Sequence, residues 1–300
     1  MKKYRFLCSS MRKNKKNIPV NSMADNSGRG IAIDVNHIKK ADFKTAEQYE
    51  EATQSHRDEG HTFHLVQKGK VLIEIDLKKH TVSAPAVVYM HPSQVHRIID
   101  FHNVTVCSLA INNEHLYPDH QDFLETIAPV APLSLSKATY KNISTLFTLS
   151  LDFYTQKNNK LYQPLLKDSC NALVALIASV FLQQHKGPVQ LSRSEHIARS
   201  FAQLLEKHYS TVKRPAVYAD KLNISTHYLN ESVKHTTGIP VTQHIRDRVI
   251  LEAKRLLLHT DRSVKEIAFE LGYEDYPYFT RLFTKATGIT ALTYRSKRHD

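Results

Sequence analysis

Two segments in the C-terminal third carry side chains of the kinds that read base edges in duplex DNA. Asn230 can form two hydrogen bonds with adenine, Glu231 can accept one from cytosine N4, and Arg281 can bind guanine or a phosphate. Glu231 is equally compatible with a solvated helix face, because a carboxylate is repelled by phosphates. The predicted nucleic-acid contacts are Thr226, His227, Asn230, Glu231, Lys234, Tyr276, Pro277, Thr280, Arg281 and Lys285.

In each segment, the side opposite these polar residues is apolar. Because the apolar side must be buried, the polar side is expected to face outward. Tyr276 and Pro277 would offer apolar contact to a thymine methyl group, whereas Lys234 and Lys285 lie farther along and are expected to touch the phosphate backbone. The residues at helical spacing that must face a core, with Tyr278 at their edge, are Tyr228, Leu229, Val233, Phe279, Leu282 and Phe283.

Both segments belong to an internal repeat with an offset of 49 residues that becomes 50 after one insertion. Each copy predicts a short helix, a tight turn and a second helix that begins after a good N-cap, Ser225 or Asp275. This is the helix-turn-helix arrangement, over about 215–238 and 263–288. The repeated residues are Ala219, Leu222, Ile224, Ser225, Tyr228, Leu229, Val233 and Gly238, which recur as Ala268, Leu271, Tyr273, Asp275, Tyr278, Phe279, Phe283 and Gly288.

An amphipathic helix over 242–259 connects the two copies and would hold them in one all-α domain, 187–300. Capping boxes are predicted at Ser192 with Glu195 and at Ser263 with Glu266. Two recognition helices held in this way could occupy successive major-groove faces about 34 Å apart, so one chain would cover a full site.

The stretch Ser263–Arg295 resembles the second half of the DNA-binding domain of AraC/XylS-type transcriptional regulators. The residues that match this family pattern are Ile267, Ala268, Gly272, Tyr278, Phe279, Arg281, Phe283, Gly288, Tyr294 and Arg295. Tyr273 stands where phenylalanine is usual, and Ala291 stands where proline is usual. The resemblance covers about 190–298 strongly and 55–112 weakly. It implies a bacterial regulator, by default an activator, that binds promoter DNA and RNA polymerase and carries an N-terminal cupin-like effector domain.

The region from about 60 to 112 has the alternation of short β-strands. Val71, Ile73 and Ile75 alternate with more polar residues, and Gly69 lies in a predicted turn over 67–70, which indicates a hairpin. Further strands are predicted at 87–90, 95–99 and 104–111, the last two separated by 100–103. Strands at this spacing favour a small antiparallel barrel or sandwich whose interior could hold a small ligand.

Helical periodicity follows at 134–185, with two apolar stripes that must be buried against the barrel, each other or a second subunit. These helices are therefore either simple packing elements or the surface of a homodimer. Gly187 and Pro188 then interrupt the pattern and predict a domain boundary. The chain is thus predicted to be α+β and multidomain, with a cupin-like effector-binding or dimerisation domain at 31–186.

Five histidines fall in the barrel region, and we tested them for metal binding. A metal-binding cupin would use a close His-x-His pair followed by a glutamate, and this is absent. His61 and His64 are three apart, so they point to opposite faces of a strand. The sequence therefore predicts ordinary surface or pocket histidines at His56, His61, His64, His91 and His96, and no metal or cofactor.

The charge is unevenly divided along the chain. Residues 1–30 carry 8 Lys/Arg against one acid, 31–190 carry 15 against 16, and 191–300 carry 18 against 12. The basic C-terminal third favours a polyanionic partner, although a solubilising charge excess is an equal alternative. The first 30 residues lack an apolar signal-peptide core and are expected to be a disordered basic tail, and Met23 is an alternative start.

Other features exclude whole classes of protein. Glycine-rich nucleotide loops, catalytic Ser/His/Asp groupings and clustered cysteines are absent, and no apolar stretch is expected to reach the roughly 18–20 residues that span a bilayer. We therefore expect a cytoplasmic, non-enzymatic, sequence-specific regulator controlled by a small effector or by dimerisation. The alternatives are a cupin-type metalloenzyme with a nucleic-acid-binding tail and a ligand-independent DNA-binding scaffold.

Overall fold

The structure is a computed structural model, and it describes residues 17–21, 30–43, 45–127, 131–156, 161–184 and 192–296. The chain divides into two compact units, one containing Pro19–Gly187 and one containing Pro188–Asp300. Most of the predicted basic tail and the predicted break at Gly187 and Pro188 lie outside the described residues.

The N-terminal unit is built on an antiparallel sheet, as predicted. Its strands pair in the order β2-β7-β4-β6-β8, with β5 added on β4, and a separate parallel pair joins β1 to β3. The strands are β1 (Val20–Asn21), β2 (Ile31–Ile38), β3 (Arg57–Asp58), β4 (His61–Ile75), β5 (Lys78–Ser83), β6 (Ala86–Met90), β7 (His96–Ile111) and β8 (Leu133–Ser134).

The predicted hairpin turn at 67–70 is wrong, because β4 continues through Gly69 and pairs with β7 on both sides of it. Gly69 has a φ of 86° and forms part of a bulge, and a Cβ there would lie 2.3 Å from the carbonyl oxygen of Asn103. The predicted break at 100–103 is likewise wrong, since β7 runs unbroken past Asn103. The real hairpin turn is Asp76-Leu77, where both residues have positive φ, as a two-residue turn requires.

The sheet curls, so that residues from β2, β4, β6 and β7 surround a second, smaller apolar core. The alternating residues Val71, Ile73 and Ile75 are buried in this core, as their period of two predicts. Helix α1 (Ala46–Ala52) and a short 3₁₀ turn at Lys40–Asp42 lie next to it, and Tyr49 stacks against Phe101.

This unit also contains α2 (Pro118–Ile127), which precedes β8, and α3 (Lys137–Thr155) and α4 (Tyr162–Gln184), which follow it. The buried stripes of α3 and α4 pack with the sheet in the larger apolar core, a cluster that contains Phe147, Phe181 and Phe63. The two predicted helices are therefore confirmed, and their buried faces belong to this unit's own core.

Helix α4 corrects the expectation that no apolar stretch approaches a membrane-spanning length. Tyr162–Gln183 is long and apolar enough to cross a bilayer by length and composition, with a mean hydropathy of 1.7. Of the 18-residue apolar window in this helix, 56% is buried within the protein. Its packing with the sheet accounts for the composition, because a helix that is apolar on most sides suits a protein core.

The C-terminal unit is helical throughout its described residues. Both predicted capping boxes are confirmed, at Ser192 with Glu195 and at Ser263 with Glu266. The helices are α5 (Arg193–His208), α6 (Pro215–Lys221), α7 (Thr226–Thr237), α8 (Val241–His259), α9 (Val264–Glu270), α10 (Tyr276–Thr287) and α11 (Ala291–Ser296).

Candidate functional site

The pairs α6–α7 and α9–α10 repeat the same local structure, as the sequence repeat predicts. The side chain of Ser225 accepts a hydrogen bond from the Tyr228 amide at 3.1 Å, and that of Asp275 accepts one from the Tyr278 amide at 2.9 Å. At the other end, Gly238 caps α7 and adopts the left-handed conformation that lets a helix stop. Gly288 does the same for α10.

Helix α7 buries one side and exposes the side that was predicted to meet DNA. Leu229 and Val233 are fully buried in the core that α7 shares with α5, α6 and α8. The exposed residues of the predicted set on this helix are Thr226, His227, Glu231 and Lys234. The assignment to the core is confirmed for Leu229 and Val233, whereas Tyr228 is only partly buried.

Helix α10 likewise has one buried side and one exposed side. Phe279 and Phe283 are fully buried, and Tyr278, predicted to lie at the edge, is half exposed. Pro277, Arg281 and Lys285 are exposed, whereas Tyr276 and Thr280 are partly buried. Arg281 makes no hydrogen bond or ion pair with any residue that the structure describes, so its guanidinium is available to an external acceptor.

Two residues of the predicted set are already engaged within the protein. The carbonyl oxygen of the Asn230 side chain accepts a hydrogen bond from the Val241 amide at 3.3 Å, where α8 begins. The hydroxyl of Thr280 donates to the carbonyl oxygen of Pro277 at 2.9 Å. A two-bond contact of Asn230 with adenine would have to share the side-chain oxygen with the Val241 amide, since that oxygen can accept two hydrogen bonds.

Helix α8 fastens to the rest of this unit through a buried ionic network that the sequence analysis did not anticipate. Arg248 donates to both carboxylate oxygens of Glu206 on α5, at 2.8 and 2.9 Å, and its guanidinium lies over the ring of Tyr209. Glu252 accepts from Arg248 at 3.2 Å and from Arg255 at 3.0 Å. Since Arg248 reaches Glu206 while Glu252 and Arg255 lie on α8 itself, this network fastens α8 to α5.

A second candidate site lies in the N-terminal unit, inside the curled sheet. It is a cavity of about 100 Å³ whose walls are mostly apolar, with Val71, Ile73 and Phe101 among them. The polar residues of the wall gather at one part of it, and they are Asn21, Asn36, His56, Asp58, Thr62, His64, His96 and Ser108.

Three of these polar residues lie close enough to share one ion. The ligand atoms of His56, Asp58 and His96 all lie within 4.8 Å of one another, and all three side chains are buried. Burial lowers the pKa of His96 to about 3, so its imidazole is neutral at neutral pH. Burial raises the pKa of Asp58, but His96, His56, a hydrogen bond with Thr62 and His64 together bring it below its usual value.

The remaining barrel histidines are satisfied by ordinary neighbours, as predicted for pocket or core histidines. His61 lies between the Tyr89 hydroxyl at 2.7 Å and the Asn113 side-chain oxygen at 2.8 Å, and burial lowers its pKa to about 4. His91 bonds Glu125 at 3.1 Å. His64 bonds Ser108 at 2.8 Å on the cavity wall, away from His61.

Sequence reasoning missed the cluster because it searched for His-x-His followed by glutamate. The signal that was present is His56-x-Asp58, two residues apart on extended chain and therefore on one side of it. His96 lies 38 positions after Asp58, and only the pairing of the backbones of His56 and His96 brings it to the same place.

Sequence comparison places the helical unit among regulators. A profile described as a helix-turn-helix domain matches residues 218–297. The HTH-type transcriptional activator RhaR of Mannheimia succiniciproducens is 21% identical over 220 residues, which cover 73% of this chain and 78% of that protein. The RhaR of Cronobacter sakazakii is 31% identical over 90 residues, 30% of this chain and 27% of that protein.

Among solved structures, the C-terminal domain of AraT, a response regulator from Geobacillus stearothermophilus, is 33% identical and covers 35% of this chain and 88% of its own, with a TM-score of 0.34. The match spans only about a quarter of the length of the Cronobacter relative. The profile match coincides with most of the repeated helix pairs and their exposed faces. Residues 218–297 are therefore an AraC-type helix-turn-helix domain, similar to that of DNA-binding transcriptional regulators.

Proposed function

We propose that this protein binds promoter DNA in a sequence-specific manner and activates transcription under the control of its N-terminal unit. The observation that carries the proposal is the duplicated helix-turn-helix, in which α7 and α10 bury matching apolar sides and expose polar ones. Activation is supported by the names of the RhaR relatives, one of which matches over 78% of its length.

We assign DNA contacts to the predicted residues whose side chains are exposed on the two recognition helices, α7 and α10. Thr226, His227 and Glu231 on α7 and Pro277 and Arg281 on α10 would face base edges. The exposed ammonium groups of Lys234 and Lys285 would contact phosphates, which positions the protein without reading sequence. The partly buried residues of the predicted set, Asn230, Tyr276 and Thr280, would contribute at the margin of the interface.

Control by the N-terminal unit requires that an effector or a second copy bind one state of the protein better than another. Equal affinity for both states would not change the equilibrium between them. The cavity in the curled sheet is the place for a small effector, and the exposed sides of α3 and α4 are the candidate surface for a homodimer. Such a regulator would work in the cytoplasm with RNA polymerase as its partner, and it would not be an enzyme.

Selection of duplexes from a random DNA pool with the full chain tests the proposal. The expected result is an enriched motif in two parts about one helical turn apart, one part for each recognition helix. Equal binding of all duplexes with a steep salt dependence would overturn sequence-specific regulation and support a DNA-binding scaffold. Transcription from a promoter carrying the motif, with purified RNA polymerase, then tests activation, and a fall in transcript on adding the protein would contradict it.

A further inference from the structure

We propose that the N-terminal unit binds one divalent transition-metal ion between the side chains of His56, Asp58 and His96. All three residues belong to the N-terminal unit, and the proposal does not depend on the function proposed above. Two imidazoles and a carboxylate form a ligand set typical of zinc, iron and nickel sites, whereas Mg²⁺ and Ca²⁺ prefer oxygen ligands alone.

The distances fit ligands arranged around an ion better than a hydrogen-bonded ion pair. Nε2 of His96 lies 3.4 Å from one oxygen of Asp58, and Nε2 of His56 lies 3.9 Å from the other. Both separations exceed the roughly 2.7–3.2 Å of a good hydrogen bond. Two ligands bound at about 2.0–2.2 Å to one tetrahedral ion lie about 3.3–3.6 Å apart, close to these values.

The backbone holds the ligands in place before any ion arrives. The amide of His56 donates to the carbonyl oxygen of His96 at 3.0 Å, and the amide of His96 donates back at 2.9 Å. The two rings consequently lie 4.4 Å apart, centroid to centroid. Asp58 follows two residues after His56, so its carboxylate emerges on the same side of the extended chain.

Neighbouring groups orient two of the three ligands, His56 and Asp58, in the way that metal sites commonly require, whereas Nδ1 of His96 is buried without a hydrogen-bond partner in the described part of the chain. Nδ1 of His56 lies 2.9 Å from the carbonyl oxygen of Gln54, to which it donates, and this leaves the lone pair of Nε2 directed toward Asp58. The Asn21 side chain donates to Asp58 at 3.0 Å, which fixes the carboxylate. Among the residues that the structure describes, no lysine or arginine forms an ion pair with Asp58, so a bound cation would supply the missing charge.

The space beside the cluster suits an ion with one or two small additional ligands. The adjoining cavity of about 100 Å³ is well below the roughly 300–1,000 Å³ of a pocket for a drug-sized molecule. Three protein ligands leave a coordination position open toward this cavity for water or a small anion. His64 lies on the same wall, but its Nδ1 is paired with Ser108.

The experiment measures Zn²⁺ binding to the metal-stripped full chain by equilibrium dialysis with elemental analysis. We expect one tightly bound Zn²⁺ per chain and no competition by Mg²⁺. Asn21→Ala should lower the affinity by about 10–100-fold, as loss of an orienting neighbour does, and Asp58→Asn should lower it further. His91→Gln is the matched control, because it removes a buried histidine that also pairs with a carboxylate, and it should leave the affinity unchanged.

The proposal is overturned if the wild-type chain binds no stoichiometric Zn²⁺, or if His91→Gln and Asp58→Asn lower the affinity equally. Circular dichroism and the melting temperature report whether each variant is folded. X-ray absorption of the wild-type chain with Zn²⁺ provides a test that needs no variant. Two imidazole nitrogens and a carboxylate oxygen around the ion support the site, and fewer than two imidazoles reject it.

Discussion

Asn223 and Gly272 occupy the same position in the two helix-turn-helix units, and both have a left-handed backbone, with φ of 53° and 75°. In each turn the next residue donates its amide to a carbonyl five residues earlier, Ile224 to Ala219 at 3.1 Å and Tyr273 to Ala268 at 2.9 Å. The sequence repeat is therefore also a repeat of backbone geometry, which Asn and Gly satisfy because both tolerate positive φ.

The two turn residues should respond differently to alanine. A Cβ at Gly272 would lie 2.1 Å from the Ser210 carbonyl oxygen, so Gly272→Ala adds a clash to the cost of positive φ. We expect Asn223→Ala to lower the free energy of unfolding by about 1–2 kcal/mol and Gly272→Ala to lower it by more. Urea unfolding of the full chain, followed by helical circular dichroism, measures both. Equal losses would show that the contact with Ser210 does not constrain the turn.

The buried ionic network predicts a large effect at Glu252. Its carboxylate accepts hydrogen bonds from Arg248 and Arg255, and it is only 3% exposed. Glu252→Gln removes the negative charge between two buried cations and should destabilise the C-terminal unit by about 3–5 kcal/mol. Thermal or urea unfolding checks this value. The exposed Glu274→Gln is the control, with a change within about 0.5 kcal/mol, and similar losses in both variants would contradict the role of the network.

Arg281 and Lys285 should contribute to DNA binding in different ways. Arg281→Ala should cost about 1–3 kcal/mol on the selected motif and relax the preference at one base pair, as loss of a base contact does. Lys285→Ala should weaken binding to all duplexes alike and reduce the salt slope by about one. Binding titrations on the motif and on a scrambled duplex, at several salt concentrations, separate the two. Unchanged affinity of Arg281→Ala would remove it from the interface.

The neutral, buried His61 predicts a loss of stability in acid. Burial lowers its pKa to about 4 in the folded chain against 6.5 in the unfolded chain, so only the unfolded chain takes up this proton between those values. Stability therefore falls as the pH drops below 6.5, by about 2 kcal/mol at pH 5 from this group. Urea unfolding at pH 7.5 and 5.0 measures the difference, with hydrogen exchange in β4 assigning it to the N-terminal unit.

A matched pair of variants attributes that acid loss to His61. His61→Gln should reduce the difference between the two pH values, since glutamine keeps a hydrogen-bonding side chain but has no proton to gain. His102→Gln removes an exposed histidine of the same sheet and should keep the wild-type difference. If the two variants behave alike, the acid sensitivity originates elsewhere.

The helical unit was largely predictable because its determinants are local. Ser225 and Asp275 cap helices through amides three residues away, and the burial of Leu229 and Phe279 follows from a period of 3.6 residues. Such interactions depend on neighbours in the chain, so the sequence contains them directly. The engaged side chain of Asn230 was not predictable, because its partner Val241 belongs to the next helix.

The tertiary structure decided what depends on partners far apart in the sequence. A glycine such as Gly69 is compatible with either a turn or a bulge, and pairing of β4 with β7 on both sides of it selected the bulge. The apolar length of α4 is explained by the core that it shares with α2, α3 and the sheet. The sequence alone determined a duplicated helix-turn-helix. The clustering of His56, Asp58 and His96 was decided by the tertiary structure, because backbone pairing between distant segments cannot be inferred from local periodicity.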